Sequence, residues 1–222
     1  VSATASPSGG AARARSRLAI VSCGPQLEVA LSAPGNAVAS LVRLGGVAPR
    51  STLLLAAVDL VIEDAGLLPS DVASVVVSRG PGSFTGIRAG LATAAGLAAA
   101  TGAEVLACDS LLMLAARCAP GVEVWAAQPG RRGEVYARCY RVAAGGPPEP
   151  HSAIEILALA EVAGRGPWVA AEALELGPVA RAVVVRSSAE ALLQLAAAGS
   201  ATDPAEPLYV EGPPIHGLGG ER

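Results

Sequence analysis

The run with the most chemical possibility is Gly80-Pro81-Gly82-Ser83-Phe84-Thr85-Gly86. It follows three consecutive valines at 75–77 and leads into a long Ala/Gly/Leu stretch. Glycine admits backbone angles closed to other residues and proline fixes one of them, so the run is a tight loop between a buried strand and a helix. Ser83 and Thr85 are both competent to cap that helix, and free amides at a helix start suit an anion or a phosphate. It is not a P-loop: the Gly-Lys-Ser/Thr ending is missing, and all 16 basic residues are arginine. Gly80, Gly82 and Gly86 form GxGxxxG, one residue longer than the dinucleotide fingerprint. Pro81 stands two residues before Ser83, so the serine is not in a GxSxG nucleophile elbow. From the residues alone the loop is either a structural turn or an anion site.

The other reactive types are scattered. Cys23, Cys108, Cys118 and Cys139 form no CxxC pair and lie far in sequence from His151 and His216, so no zinc spacing exists. They read as buried, reduced thiols. Glu104, Asp109 and Glu134 read as strand edge, helix start and hairpin surface. His151 follows Pro147-Pro148-Glu149-Pro150 and reads as a solvated loop residue. A general base needs a placed partner, and none is evident. A net charge of -3 and a pI near 5.5 exclude a global basic field for nucleic acid. The charge-free stretch 89–103 is shorter than the ~20 apolar residues of a membrane span. Residues 1–17 lack an apolar h-region and read as a disordered leader rather than a secretory signal.

The elements that position the loop follow from periodicity. Apolar runs at 18–21, 26–31 and 38–44, separated by turn residues, predict a three-strand antiparallel meander. Helical spacing over 51–65 ends at Gly66; 74–78 is a buried strand; a helix covers 86–101 and ends at Gly102. A strand at 104–107 precedes a helix over 111–118 capped by Ser110. A second round has a hairpin (122–127 with 134–142), a weak helix at 156–162, strands at 168–171 and 182–185, and a capped helix at 188–198. With hydrophobic residues at 52% and aromatics at 3%, the core is built from Ala, Val and Leu. Gly86, Gly90, Ala94 and Ala98 recur every four residues as one smooth stripe. It packs on the chain's own sheet, packs on the 51–65 helix, or receives a helix of another protein.

The element order resembles the actin, sugar-kinase and Hsp70 group, in which two such lobes close on a nucleotide. The motif Gly80-Pro-Gly-Ser-Phe-Thr-Gly-Ile-Arg-Ala-Gly-Leu-Ala-Thr-Ala is similar to the hallmark of the TsaB/YeaZ family. Arg131-Arg-Gly-Glu-Val-Tyr136 resembles that family's D-A-R-x-G-E-V-Y segment, Glu206-Pro-Leu-Tyr-Val210 its P-L-Y-L-R terminus, and Leu18-Ala-Ile20 its opening strand. The resemblance covers about residues 18 to 211. It implies an α/β, actin/Hsp70-like (ASKHA) two-lobed fold with a degenerate active site. The first lobe would be 18–108, with the 188–199 helix packing back on it, the second lobe 109–187, and the tail 200–222.

The resemblance also implies a function: a non-catalytic partner subunit of a TsaD-like paralogue in tRNA adenosine threonylcarbamoylation. ATP and metal would sit on that paralogue, and no cofactor on this chain alone. A TsaE-like ATPase would join, tRNA would be met only through the complex, and the location would be cytoplasmic. A homodimer is expected when the paralogue is absent. The implied partner interface is Leu54, Val58 and Val61 on one helix with Arg88, Gly90, Ala94 and Ala98 on the next. The motif residues are Gly80 to Gly86 and, in the second lobe, Arg131, Gly133, Glu134 and Tyr136; no catalytic or metal-ligating residue is expected. Four departures stand out. Val21 and Pro129 occupy the positions of two family aspartates, Arg50 or Ser51 that of a histidine, and Glu211 that of the final arginine. Metal-assisted phosphoryl transfer needs hard oxygen ligands placed together, so the losses favour the non-catalytic reading. The alternatives are an active ATPase or kinase of the same fold, or a drifted, self-associating homodimer.

Overall fold

The computed structural model describes residues 16–45, 50–171 and 174–211. Residues 1–15 of the expected leader, 212–222 of the expected tail, and the side chains of Arg50 and Ser51 lie outside the described set. Arg17 opens the first strand, paired with Ser32 and Ser74.

Strands β1 (Arg17–Val21), β2 (Leu27–Ala33) and β3 (Asn36–Leu44) form an antiparallel meander. β4 (Ser74–Ser78) joins β1 in parallel and β5 (Glu104–Cys108) joins β4, giving the order β3-β2-β1-β4-β5. The uninterrupted apolar runs of β1 and β4 have a simple cause: both faces of these strands are covered. Leu18, Ile20, Val75 and Val77 point to one side, against Leu54, Val58 and Val61 of α1 (Arg50–Asp64) and Ala94 of α2 (Phe84–Thr101). Ala19, Val21 and Val76 point to the other, against Leu111 and Leu114 of α3 (Ser110–Ala116) and Leu192 and Leu195 of α4 (Ser188–Ala197).

α4 is tied to the first sheet by a buried carboxylate. Glu28 on β2 accepts from the Ala189 amide at 2.8 Å and pairs with Arg43 at 3.1 Å. A capping box fixes the helix start, Ser187 Oγ accepting from Glu190 N and the Glu190 carboxylate from Ser187 N.

The second sheet has the order β10-β6-β7-β8, with β9 also on β7. β6 (Val122–Pro129) and β7 (Glu134–Val142) are a hairpin; β8 is Glu149–Pro150, β9 Glu155–Ala158 and β10 Trp168–Ala170.

Three local expectations are corrected. Residues 156–162 are not helical: Leu157 is buried between exposed Ile156 and Ala158, so β9 alternates with period two along the edge of β7, and a single 3-10 turn follows at Leu159–Glu161. The 182–185 run is no strand; Val184 makes an isolated bridge with Cys118, Val183 is exposed, and the second bridge, with Trp168, falls on Arg181 just before the run. Asp109, not Ser110, caps α3, accepting from Leu111 N at 2.6 Å, while Ser110 Oγ donates to the Pro81 carbonyl. Among the described residues no helix is long and apolar enough to cross a membrane.

Candidate functional site

The motif loop is held by backbone bonds on three sides. Arg79 N donates to Cys108 O at 3.0 Å, Ser110 N to Gly80 O at 2.8 Å, Ser83 N to Cys23 O at 2.7 Å, and Leu208 N to Arg79 O at 2.8 Å. Gly80-Pro81 is cis. The glycines make close approach possible. A Cβ at Gly82 would collide with the Cys23 carbonyl, one at Gly86 with the Ser22 carbonyl, and one at Gly90 with Ser22 Oγ. Ser22 Oγ in turn donates to Gly86 O at 2.8 Å. The start of α2 is thus clamped onto the end of β1. Its amides are partly spent, Gly86 N on Ser83 Oγ and Ile87 N on Ser83 O. These bonds are those of a tight turn clamped to β1 and β5.

This geometry overturns most of the expected interface. Leu54, Val58, Val61, Gly90 and Ala94 are buried in the chain's own core, because the small-residue stripe is what lets α2 sit on β1 and β4. Ala98 is half-buried. Arg88 is exposed, but it lies over the Phe84 ring at 4.0 Å and its Nε donates to Tyr209 OH at 3.1 Å. The outward faces are different residues. α1 presents Leu55 and Leu60, 59% and 52% exposed, with Ala56 and Asp59 between them. α2, packed beside it, presents Ala92, Ala95, Gly96 and Ala99. α1 is apolar almost all round, so periodicity defined a stripe without saying which stripe faces in.

Between the sheets lies a buried polar junction. Cys23 Sγ accepts from Gln128 Nε2 at 3.9 Å, and burial pushes its thiol up to about 11, the nearby Ser78 and Ser110 side chains opposing this. Burial raises the Cys108 thiol well above its ordinary value, so neither is a nucleophile at neutral pH. Val21, at the family's aspartate position, is buried in the apolar cluster around α3 and α4. Asp109 is the acid nearest this junction. Burial raises its carboxyl, the Leu111 amide opposes this, and Arg138 lies 3.9 Å away. Among the described residues no three His, Cys, Asp or Glu side chains gather in a metal-holding group.

The second motif and the C-terminal segment meet the first. Arg131 and Gly133 form the β6–β7 turn, with Glu134 N donating to Arg131 O at 2.9 Å. Glu211 accepts from Arg131 at 3.0 Å and from Tyr136 OH at 3.1 Å. The departure from arginine at 211 therefore supplies the acid that both groups use. Residues 203–211 form a strap. Arg79 pairs with Asp203 at 3.5 Å and donates to Glu206 O at 3.1 Å, and Asp203 accepts from Asp109 N at 2.8 Å. The strap then stacks Tyr209 on Phe84, ring centroids 5.2 Å apart. Sequence reading missed this convergence, because the three motifs are separated by about fifty to seventy residues and only the fold joins them.

A meander extended by parallel strands, helices on both of its faces, and a second sheet closing on a junction at the strand ends define an actin/Hsp70-like α/β protein. Comparison narrows this. Residues 35–146 match the TsaD family, described as tRNA N6-adenosine threonylcarbamoyltransferase. YeaZ from Pseudomonas aeruginosa is 30% identical, with 88% of this chain and 99% of that one covered and a TM-score of 0.67. A second Pseudomonas aeruginosa structure, an uncharacterized protein with similarity to peptidase YEAZ, is 28% identical with the same coverage and TM-score. The tRNA threonylcarbamoyladenosine biosynthesis protein TsaB of Bacillus subtilis is 36% identical over 93 residues; the match spans 41% of this chain and 40% of that relative. The chain belongs to the TsaB/YeaZ family.

Proposed function

We propose that this chain is a non-catalytic subunit of the machinery that makes threonylcarbamoyladenosine in tRNA, and that it docks a TsaD-like paralogue through the outward faces of α1 and α2. The observation that carries the reading is the contrast between a match running the length of YeaZ and a junction lined by Cys23, Ser78, Ser110 and Gln128. Phosphoryl transfer works through metal-held oxygens and a positioned acid or base. Here the positions of the two family aspartates carry Val21 and Pro129. In this reading ATP and metal belong to the paralogue, a TsaE-like ATPase joins the pair, tRNA is met by the assembled complex in the cytoplasm, and two copies of the chain use the same face when the paralogue is absent.

The docking face is argued from exposure. Leu55 and Leu60 offer two large apolar side chains with Asp59 beside them, and Ala92, Ala95, Gly96 and Ala99 leave α2 smooth enough for a helix to approach closely. The test is co-purification with the TsaD-like protein of the same genome, with complex mass from light scattering. A one-to-one complex that Leu60→Asp weakens tenfold or more, with the variant's melting curve unchanged, supports the proposal. No complex at micromolar concentrations of both proteins refutes it.

A further inference from the structure

The chain holds six aromatic residues: one Phe, three Tyr and two Trp. Three of them, Phe84, Tyr136 and Tyr209, line one groove of about 680 Å³. Tyr140 and Trp168 are buried and Trp125 packs against Trp168, whereas Phe84 and Tyr209 are exposed and Tyr136 is only half-buried, so burial does not explain the grouping of these three. Phe84 is 41% and Tyr209 36% exposed. Pro81, Pro129 and Leu208 supply apolar wall, and Arg131 and Arg132 stand at the rim. Glu211 occupies Arg131. Arg132, at the rim, and Arg88, on the Phe84–Tyr209 pair, are left with no carboxylate partner among the described residues. Rings, guanidinium planes and a surplus of positive charge therefore coincide in a volume within the ~300–1,000 Å³ of ordinary ligand sites.

We propose that this groove takes an unpaired nucleotide of an RNA strand. The base lies against the Phe84–Tyr209 pair, and phosphates meet Arg132 and Arg88. Every base has a π face, so stacking on aromatic side chains and arginine planes accepts single-stranded RNA without reading its sequence. An acidic peptide would use the arginines but leaves the rings unexplained. A net charge of -3 makes the contact local rather than a broad electrostatic one. The inference rests on the reading of the chain as part of a tRNA-modifying assembly, but its test needs only this chain.

The test is an NMR titration of the full chain, in which six aromatic residues give few ring resonances to assign. The probes are an unpaired RNA pentanucleotide, adenosine monophosphate and a pentaglutamate peptide. The pentanucleotide is expected to shift the Phe84 and Tyr209 rings saturably. With about two phosphates held and a slope of about -0.7 per phosphate, raising salt from 50 to 200 mM weakens binding about sevenfold. Tyr209→Leu costs about fivefold or more, the lower range for one stacked base, and Arg132→Ser flattens the salt dependence by about half. Three results overturn the proposal: no ring shift with millimolar pentanucleotide, ring shifts from the peptide instead, or adenosine monophosphate binding as tightly as the pentanucleotide, which would mark a free-nucleotide site. Arg132→Ser should still form the complex with the TsaD-like protein. Loss of the groove's binding and loss of partner docking are thereby read separately.

Discussion

Replacing Gly86 by alanine tests the clamp between α2 and β1. The added Cβ would overlap the Ser22 carbonyl and lie 3.3 Å from Ser83 Oγ. The carbonyl belongs to backbone at the end of a strand buried on both faces, so it cannot swing aside like a side chain. Overpacking of this kind costs about 1–3 kcal/mol. Against it stands the helix propensity gained when glycine becomes alanine, at most about 1 kcal/mol and less in the first turn. The net expectation is destabilisation by about 1–2 kcal/mol. In a chain of this size each kcal/mol shifts the melting temperature by about 2–4 °C. Gly96 is the internal control: it lies on the same helix, is exposed, and a Cβ there meets nothing within 4 Å. Gly96→Ala should therefore stabilise by about 0.5–1 kcal/mol. Urea denaturation of the three proteins decides it. If Gly86→Ala is as stable as the parent, or if both substitutions move stability in the same direction, the clamp is wrong.

Further outcomes follow from particular contacts. The Ser187 amide and hydroxyl hold the Glu190 carboxyl below its ordinary value, so its contribution is present above the unfolded-state pKa and lost as pH falls through the lower folded-state one; Glu190→Gln should flatten stability against pH in the acid range, read by urea midpoints. The four cysteines are free and buried, with Cys23 and Cys118 pushed up to about 11 by burial, so a thiol reagent at pH 8 should label native protein far more slowly than protein in denaturant. Arg79→Met removes the anchor of the strap at Asp203 and Glu206, and chymotrypsin should then cut beside Tyr209 several times faster while the rest of the chain stays resistant. Ala94→Arg places a charge at a position with no exposure and should prevent folding outright, seen as loss of soluble protein.

The first sheet was legible because its strands are buried on both faces: three valines in a row at 75–77 admit little else, and the switch to helical spacing after residue 50 is clean. The second sheet was less so. β9 is four residues long, and its only signal is one buried leucine between two exposed neighbours, which a helical reading fits equally well. The 182–185 valines have strand propensity but only isolated bridge partners, a tertiary fact. At the site, the motif loop was found from its glycines, yet the partner of those glycines, the Ser22–Cys23 backbone, lies sixty residues away. The residues expected at a partner interface face the chain's own core for a related reason. Small residues at four-residue spacing allow close approach, but they do not say whether a sheet or another protein makes it. The strap was invisible because the Arg79, Asp203 and Glu211 pairings connect segments remote in sequence.

The proposed role, docking a catalytic paralogue through Leu55, Leu60 and the smooth outer face of α2, makes the modification of tRNA depend on this chain. The direct measurement is threonylcarbamoyladenosine formed on tRNA by the TsaD-like protein with its other components, quantified by mass spectrometry of nucleosides, with this chain present, absent or carrying Leu60→Asp. Product is expected to depend on this chain, to fall about tenfold or more with Leu60→Asp, and to return as the variant's concentration is raised. Product that is the same with and without the chain, or product formed by the chain with no TsaD-like protein present, would contradict it.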